Sequence, residues 1–252
     1  MSLTREAFDR IRNAIVSGGL EFGEQLSETQ IAKALGMSKA PVRAAFIELK
    51  DKGLVNIIPQ SGTYVFSPTA EDVRTLSHFR ALLEIEAMRE AMKRNRAALL
   101  PRLDEAIQRM RRSLSAKNFE AYGKADNAYH LTILEESGNR YLLNAYHLGA
   151  AALEALRVRL QNSGFRQQSF NEHVEMARLL AAGKLGDAEK LMRLHILVIN
   201  DSLESLPLAP AKGPRVSPSR DYATVFGRSP ARGKGERRGG GRDGAARESA
   251  AS

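Results

Sequence analysis

Two helix starts, a left-handed stop and a hairpin tip follow one another between Leu26 and Val65, and their spacing constrains the fold more than any other part of the chain. Ser27 followed by Gln30 is a capping-box signature, which predicts a helix from Glu28, with Ile31 and Leu35 on one face. Gly36 supplies the left-handed position that ends it. Ser38 can cap a second helix, with Pro41 in its first turn, where no backbone donor is lost. Val42, Phe46 and Leu49 make the buried stripe of that helix, and Lys39, Arg43 and Lys50 point away from it. After Gly53, the β-prone runs Leu54 to Ile58 and Thr63 to Phe66 flank Pro59-Gln60-Ser61-Gly62, a hairpin tip. Taken in order, these elements spell a winged helix-turn-helix.

That arrangement suits double-stranded DNA. A helix fits the major groove, its N-terminal end reaches base edges and phosphates, and Arg can bond guanine through two parallel contacts. The candidate DNA contacts are therefore Ser38, Lys39, Ala40 and Arg43 on the second helix, Thr29 on the first, and Gln60 and Gly62 on the wing. A winged helix used only for protein contacts, with its charges as a solvated face, is the alternative. Net charge does not decide between them. The formal charge of +9 divides into +1 for residues 1–66, +2 for 67–206 and +6 for 207–252. Recognition must then rest on a few placed cations rather than on bulk charge.

The chain has no cysteine, which removes disulfides and thiolate metal sites. No stretch reaches the roughly 18 uncharged apolar residues that a membrane span needs. The N-terminus moves directly into the amphipathic pattern Phe8, Ile11, Ile15 rather than a signal peptide. A cytoplasmic protein with no membrane partner is expected.

Helical periodicity continues from about Glu71 to Leu206, without a β signal, in six runs: 70–94, 99–115, 117–136, 140–162, 167–182 and one capped by Asp187 and reaching 205. The first places Val73, Leu76, Phe79, Leu83 and Ala87 on one stripe. Short connections between such helices predict an antiparallel bundle. The chain is thus read as mainly α: a winged helix-turn-helix over 1–68, an all-helical six-helix bundle over 69–206, and a basic tail rich in Pro, Gly and Arg over 207–252. Large apolar residues are sparse in the tail, so disorder is expected there, either as a weak nucleic-acid clamp or as an inert extension.

Asp126 and His130 lie four apart on the third bundle helix, so their side chains project from one face. His173 falls on the fifth helix and His195 on the sixth. Three imidazoles and one carboxylate can converge inside a bundle, and without thiolates such a set suits Zn²⁺ first, with Ni²⁺, Mn²⁺ and Fe²⁺ as alternatives. The plainer reading is an i,i+4 ion pair beside unrelated core histidines. His78 and His147 match no such pattern and are read as structural or surface residues.

The motifs resemble the GntR transcription regulators. The resemblance rests on Gln25 to Glu28, Leu35 to Arg43, Gly53 to Val55 and Gln60 to Val65, with departures at Lys39, where that family usually has Arg, and Ala44, where it usually has Glu. Asp126-Asn-Ala-Tyr-His130 with Ser137-Gly138-Asn139, then Glu172-His173, Ala182-Gly183, Asp187-Ala188 and Leu194-His195, resemble the FCD effector domain of the FadR branch, in its six-helix VanR-like form. The resemblance implies a divalent metal on Asp126, His130, His173 and His195, a small organic acid as effector, and a homodimer on a pseudo-palindromic operator. Arg80-Ala-Leu-Leu-Glu84 resembles a further pattern of that domain, in which Arg80 would meet the acid's carboxylate. An i,i+4 Arg–Glu pair that merely holds the helix explains the same residues. The expectation is a repressor released by its acid, and not an enzyme. The competing readings are a metal-dependent enzyme with Glu172 as base, and an architectural DNA binder without an effector.

Overall fold

The structure, a computed structural model, describes residues 2–159, 163–200 and 221–227. Helix α1 (Leu3–Val16) starts at Ser2, whose side chain accepts from the Arg5 amide, and it buries Phe8, Ile11 and Ile15. The short strand β1 (Gln25–Leu26) leads into α2 (Glu28–Leu35), which ends at Gly36 in the left-handed conformation, and then into α3 (Lys39–Asp51). Strands β2 (Val55–Ile58) and β3 (Gly62–Val65) form the wing, and β1 adds to it to give an antiparallel sheet of order β1-β3-β2. At the tip Ile58 pairs with Gly62, which holds φ 136°. A Cβ there would also lie 2.9 Å from the Gln25 side-chain nitrogen. Glycine is thus required inside the sheet itself, whatever it does near DNA.

The bundle begins with α4 (Ala70–Ser115), opened by a reciprocal capping box between Thr69 and Asp72. The first two runs expected from sequence are two helical segments that meet at a kink at Asn95 (φ −146°, ψ 44°). The Asn95 side chain donates to Glu136 at 2.7 Å, so the break is tied to the end of α5 (Phe119–Glu136). Then come α6 (Arg140–Arg159), α7 (Ser163–Ala181) and α8 (Leu185–Leu197). The mainly helical fold class is borne out. Two details differ. Asp187 sits within the first turn of α8 while Lys184 occupies the cap position. And α4 buries Val73, Ser77, Arg80, Glu84, Met88 and Ala91, whereas Leu76, Phe79 and Leu83 are only half-buried. The inward stripe is turned toward polar residues because they build the site.

Two apolar cores result. One lies within the bundle, around Met88, Leu103, Met110, Tyr129, Ile133, Met176 and Met192. The other joins the winged helix to the bundle, with Ile11, Ile15, Ile31, Val42 and Leu49 continuous with Val73, Ala152, Leu156 and Ile199. Helix α6 fastens this joint with polar contacts as well. Arg159 donates to the carbonyls of Ile15 (3.1 Å) and Leu20 (2.7 Å) and lies 3.8 Å above the Phe22 ring. Glu154 pairs with Arg12 at 2.6 Å. No helix among the described residues is long and apolar enough to cross a membrane.

Most of the tail expected to be disordered lies outside the described residues, but 221–227 is a correction to that reading. Here Asp221 caps the short helix α9 (Tyr222–Phe226), and Tyr222 is buried in the winged-helix core. Composition averaged over the whole tail hid the local cause. Tyr222, Val225 and Phe226 stand at i, i+3 and i+4, an apolar face one turn long.

Candidate metal centre and DNA-reading face

Three helices of the bundle aim one imidazole each at a common point. His130 on α5, His173 on α7 and His195 on α8 are all buried, and their ligand atoms lie within 4.8 Å of one another. The Nε2 atoms of His173 and His195 stand 3.1 Å and 3.3 Å from that of His130. Two nitrogens held by one Zn²⁺ at about 2.0–2.1 Å in tetrahedral array would be roughly 3.3–3.4 Å apart.

The outer nitrogens explain why the inner ones face each other. His130 Nδ1 is 2.7 Å from a Glu84 oxygen, His173 Nδ1 is 2.7 Å from the Ser169 carbonyl, and His195 Nδ1 is 2.7 Å from a Glu172 oxygen. Each partner accepts, so each neutral ring carries its proton on Nδ1 and leaves a lone pair on Nε2. Three lone pairs pointing at one another repel unless a cation lies between them, and this is the usual outer support of metal-bound histidines. Burial, then the Arg80 charge, holds the His130 pKa well below its ordinary value. Burial, then His195, lowers that of His173 to about 3. Neutral imidazole is the ligating form.

Asp126, on α5 one turn before His130, brings one oxygen to 3.7 Å from His173 Nε2. Its other oxygen accepts from Arg157 at 2.6 Å. Burial alone would raise this carboxyl's pKa, but Arg157 and then the histidines bring it well below the usual range. The three histidines thus come together, while Asp126 stands outside their cluster and approaches it only at His173. Sequence reasoning missed three supporting groups: Arg157, Glu84 as partner of His130, and Glu172 as partner of His195. Glu172, considered as a general base, is occupied in orienting that imidazole.

Arg80 shows the plainer of the two readings of its motif. Its Nε bonds to Glu84, making the i,i+4 pair, while its Nη2 is buried with no hydrogen-bond partner among the described residues. It lines a cavity of about 870 Å³ together with Asp126, Arg157, Ser169 and His195. His78 and His147 are exposed and remote from this cluster.

At the other end of the molecule, Thr29, Ser38, Lys39, Ala40, Arg43 and Gln60 are exposed, and Gly62 is half-buried. Ser38 stands at the N-cap of α3 without a side-chain capping bond, leaving its hydroxyl for other partners. Arg43 is held by Glu28 of α2, with Nε and Nη2 each 3.0 Å from a carboxylate oxygen. These two residues lie fifteen apart, and no local spacing signalled the pair.

A winged helix-turn-helix packed on a helical bundle, with three histidines clustered beside a cavity that one of them lines, is the architecture of a transcription regulator. Residues 3–65 match the gntR family of bacterial regulatory proteins, and residues 75–197 match the FCD domain. The HTH-type transcriptional regulator LutR of Bacillus subtilis is 30% identical over 213 residues, covering 75% of this chain and 95% of LutR. The HTH-type transcriptional repressor RspR of Escherichia coli is 23% identical over 206 residues, covering 81% and 90%. In fold, a GntR transcriptional regulator from Rhodococcus sp. RHA1 superposes with a TM-score of 0.71 at 23% identity, covering 81% of this chain and 98% of that one. Escherichia coli McbR/YncC gives 0.64 at 18%, covering 80% and 99%. The chain belongs to the GntR family, with an FCD domain as its second half.

Proposed function

We propose that this transcription regulator is a repressor whose hold on its operator is released by a carboxylic acid bound at a divalent metal. In this reading residues 1–68 read DNA through Thr29, Ser38, Lys39, Ala40, Arg43, Gln60 and Gly62, residues 69–206 sense the acid and pair two copies, and 207–252 form the tail. Zn²⁺ is the metal best suited to the all-nitrogen triad with one carboxylate beside it. Asp126, His130, His173 and His195 would hold it, and when bound it supplies a positive charge and open positions for an anion.

The observation that carries the reading is the set of three Nε2 lone pairs with every Nδ1 already engaged. Charge supports it: Arg80 and Arg157 line the cavity beside Asp126, so an anion entering there meets two guanidinium groups. Arg80 lines the same cavity, and its buried Nη2 has no hydrogen-bond partner among the described residues. At about 870 Å³ the cavity leaves room for an apolar body beyond the carboxylate, since ordinary ligand pockets span about 300–1,000 Å³. Leu153, Phe165 and Ile196 offer that body a surface. That RspR is called a repressor favours the negative sign of control.

The test is a thermal-shift screen of carboxylic acids on zinc-loaded protein, because a ligand that binds only the folded state raises its stability. A hit should weaken operator binding, and Arg80→Ala should reduce its shift at least tenfold in apparent affinity. A hit that shifts Arg80→Ala as strongly as the native chain would remove Arg80 from the site. A hit that leaves operator affinity unchanged would remove its role as effector.

A further inference from the structure

The short helix α9 touches two places that the rest of the chain keeps apart. On one side the Tyr222 hydroxyl donates to the Gln25 carbonyl at 3.1 Å and accepts from the Ser27 amide at 3.3 Å. That amide is the donor which the Gln30 side chain would satisfy in a complete capping box. Ser27 does accept from the Gln30 amide. The reciprocal half of the cap is supplied instead by a residue 195 positions away. On its other side α9 presents Val225 and Phe226 to the cavity that also contains Asp126, Arg157 and His195. Arg10 of α1 closes the corner, donating to the Phe226 carbonyl and lying 5.9 Å from its ring centroid. The rings of Tyr222 and Phe226 stack at 6.0 Å with an interplanar angle of 11°. None of α9 falls within the stretches that match the family, 3–65 and 75–197.

We propose that residues 221–227 are a latch: they form one wall of the sensing cavity and, through Tyr222, complete the cap of the first helix of the DNA-reading head. Whatever presses on Val225 and Phe226 from inside the cavity bears on the start of α2 through the same short helix. This gives the cavity a route to the reading head within one chain, independent of any rearrangement between two copies. The buried tyrosine is the anchor, and the half-buried Val225 and Phe226 are the sensing face.

The latch is tested in the full chain by hydrogen exchange at the Ser27 amide and by the rate at which EDTA strips bound Zn²⁺. Tyr222→Phe removes only the hydroxyl, and it should speed Ser27 exchange at least tenfold. Val225→Ala with Phe226→Ala keeps that hydroxyl and leaves the buried core residues in place. It should nevertheless speed Ser27 exchange several-fold and zinc release at least threefold. Native rates of Ser27 exchange or of zinc release in the double variant would overturn the proposal. A native chain that takes up no zinc would instead remove the metal reading, and Ser27 exchange alone would then judge the latch.

Discussion

Arg43 has a fork of donors that Glu28 fills when no DNA is near. Arg43 is exposed, and in the proposed reading it exchanges Glu28 for a guanine edge while the pair holds its guanidinium near the start of α3. Arg43→Ala should lower operator affinity at least tenfold and leave bound metal unchanged, as read by titration of labelled operator and elemental analysis. Unchanged affinity would move the reading residues elsewhere. His130→Ala and His195→Ala should do the reverse, lowering metal content, and full occupancy in both would remove the triad as ligands. Buried neutral imidazoles also set a pH dependence. In metal-free protein the His173 pKa is lowered, by burial and then His195, to about 3, against an ordinary value of roughly 6.5 when unfolded. Between these values the unfolded chain binds more protons, so stability falls as pH drops from about 6.5 toward 3, by up to about 1.4 kcal/mol per pH unit for such a histidine. Urea unfolding of the metal-free chain at pH 7.5 and 5.5 measures this, and equal stabilities would show that the imidazole is not held neutral.

At the scale of elements, what was legible in the sequence was what acts over a few residues. Ser27 and Gly36 announced the two ends of α2 because those caps are made by side chain and backbone within one turn, and Ser38 marked the start of α3 by its position alone. The Asp126–His130 spacing was legible for the same reason. Glu84 under His130, Glu172 under His195 and Arg157 on Asp126 were not, since each contact is set by how separate helices pack. The face of α4 was misjudged for an instructive reason. An apolar count favours Leu76, Phe79 and Leu83, yet the helix turns Ser77, Arg80 and Glu84 inward because the bundle needs polar groups there. The capping box at Thr69 offers a clean check on how α4 begins. Thr69→Ala should cost about 1 kcal/mol in chemical unfolding without altering zinc content. A loss near zero would mean that packing alone sets this helix start.

For the whole molecule, two reading heads on one operator require two copies of the chain related by a two-fold axis. Leu82, Tyr141, Leu148 and Leu194 are each more than 60% exposed on bundle helices, an apolar allotment that suits self-association. Sedimentation should therefore return twice the chain mass of 27.7 kDa. The operator should carry inverted half-sites a whole number of helical turns apart, as footprinting would read. A monomer in solution and on DNA would sink both expectations. The joint between head and bundle carries a different consequence. Because Ile11 and Ile15 share one core with Ala152 and Leu156, and Arg159 ties down the end of α1, no seam between the two halves can be cut without exposing apolar surface. A gene fusion that grafted this head onto an unrelated sensor would inherit a mismatched interface unless α6 travelled with it. Head and seat therefore form one packing unit.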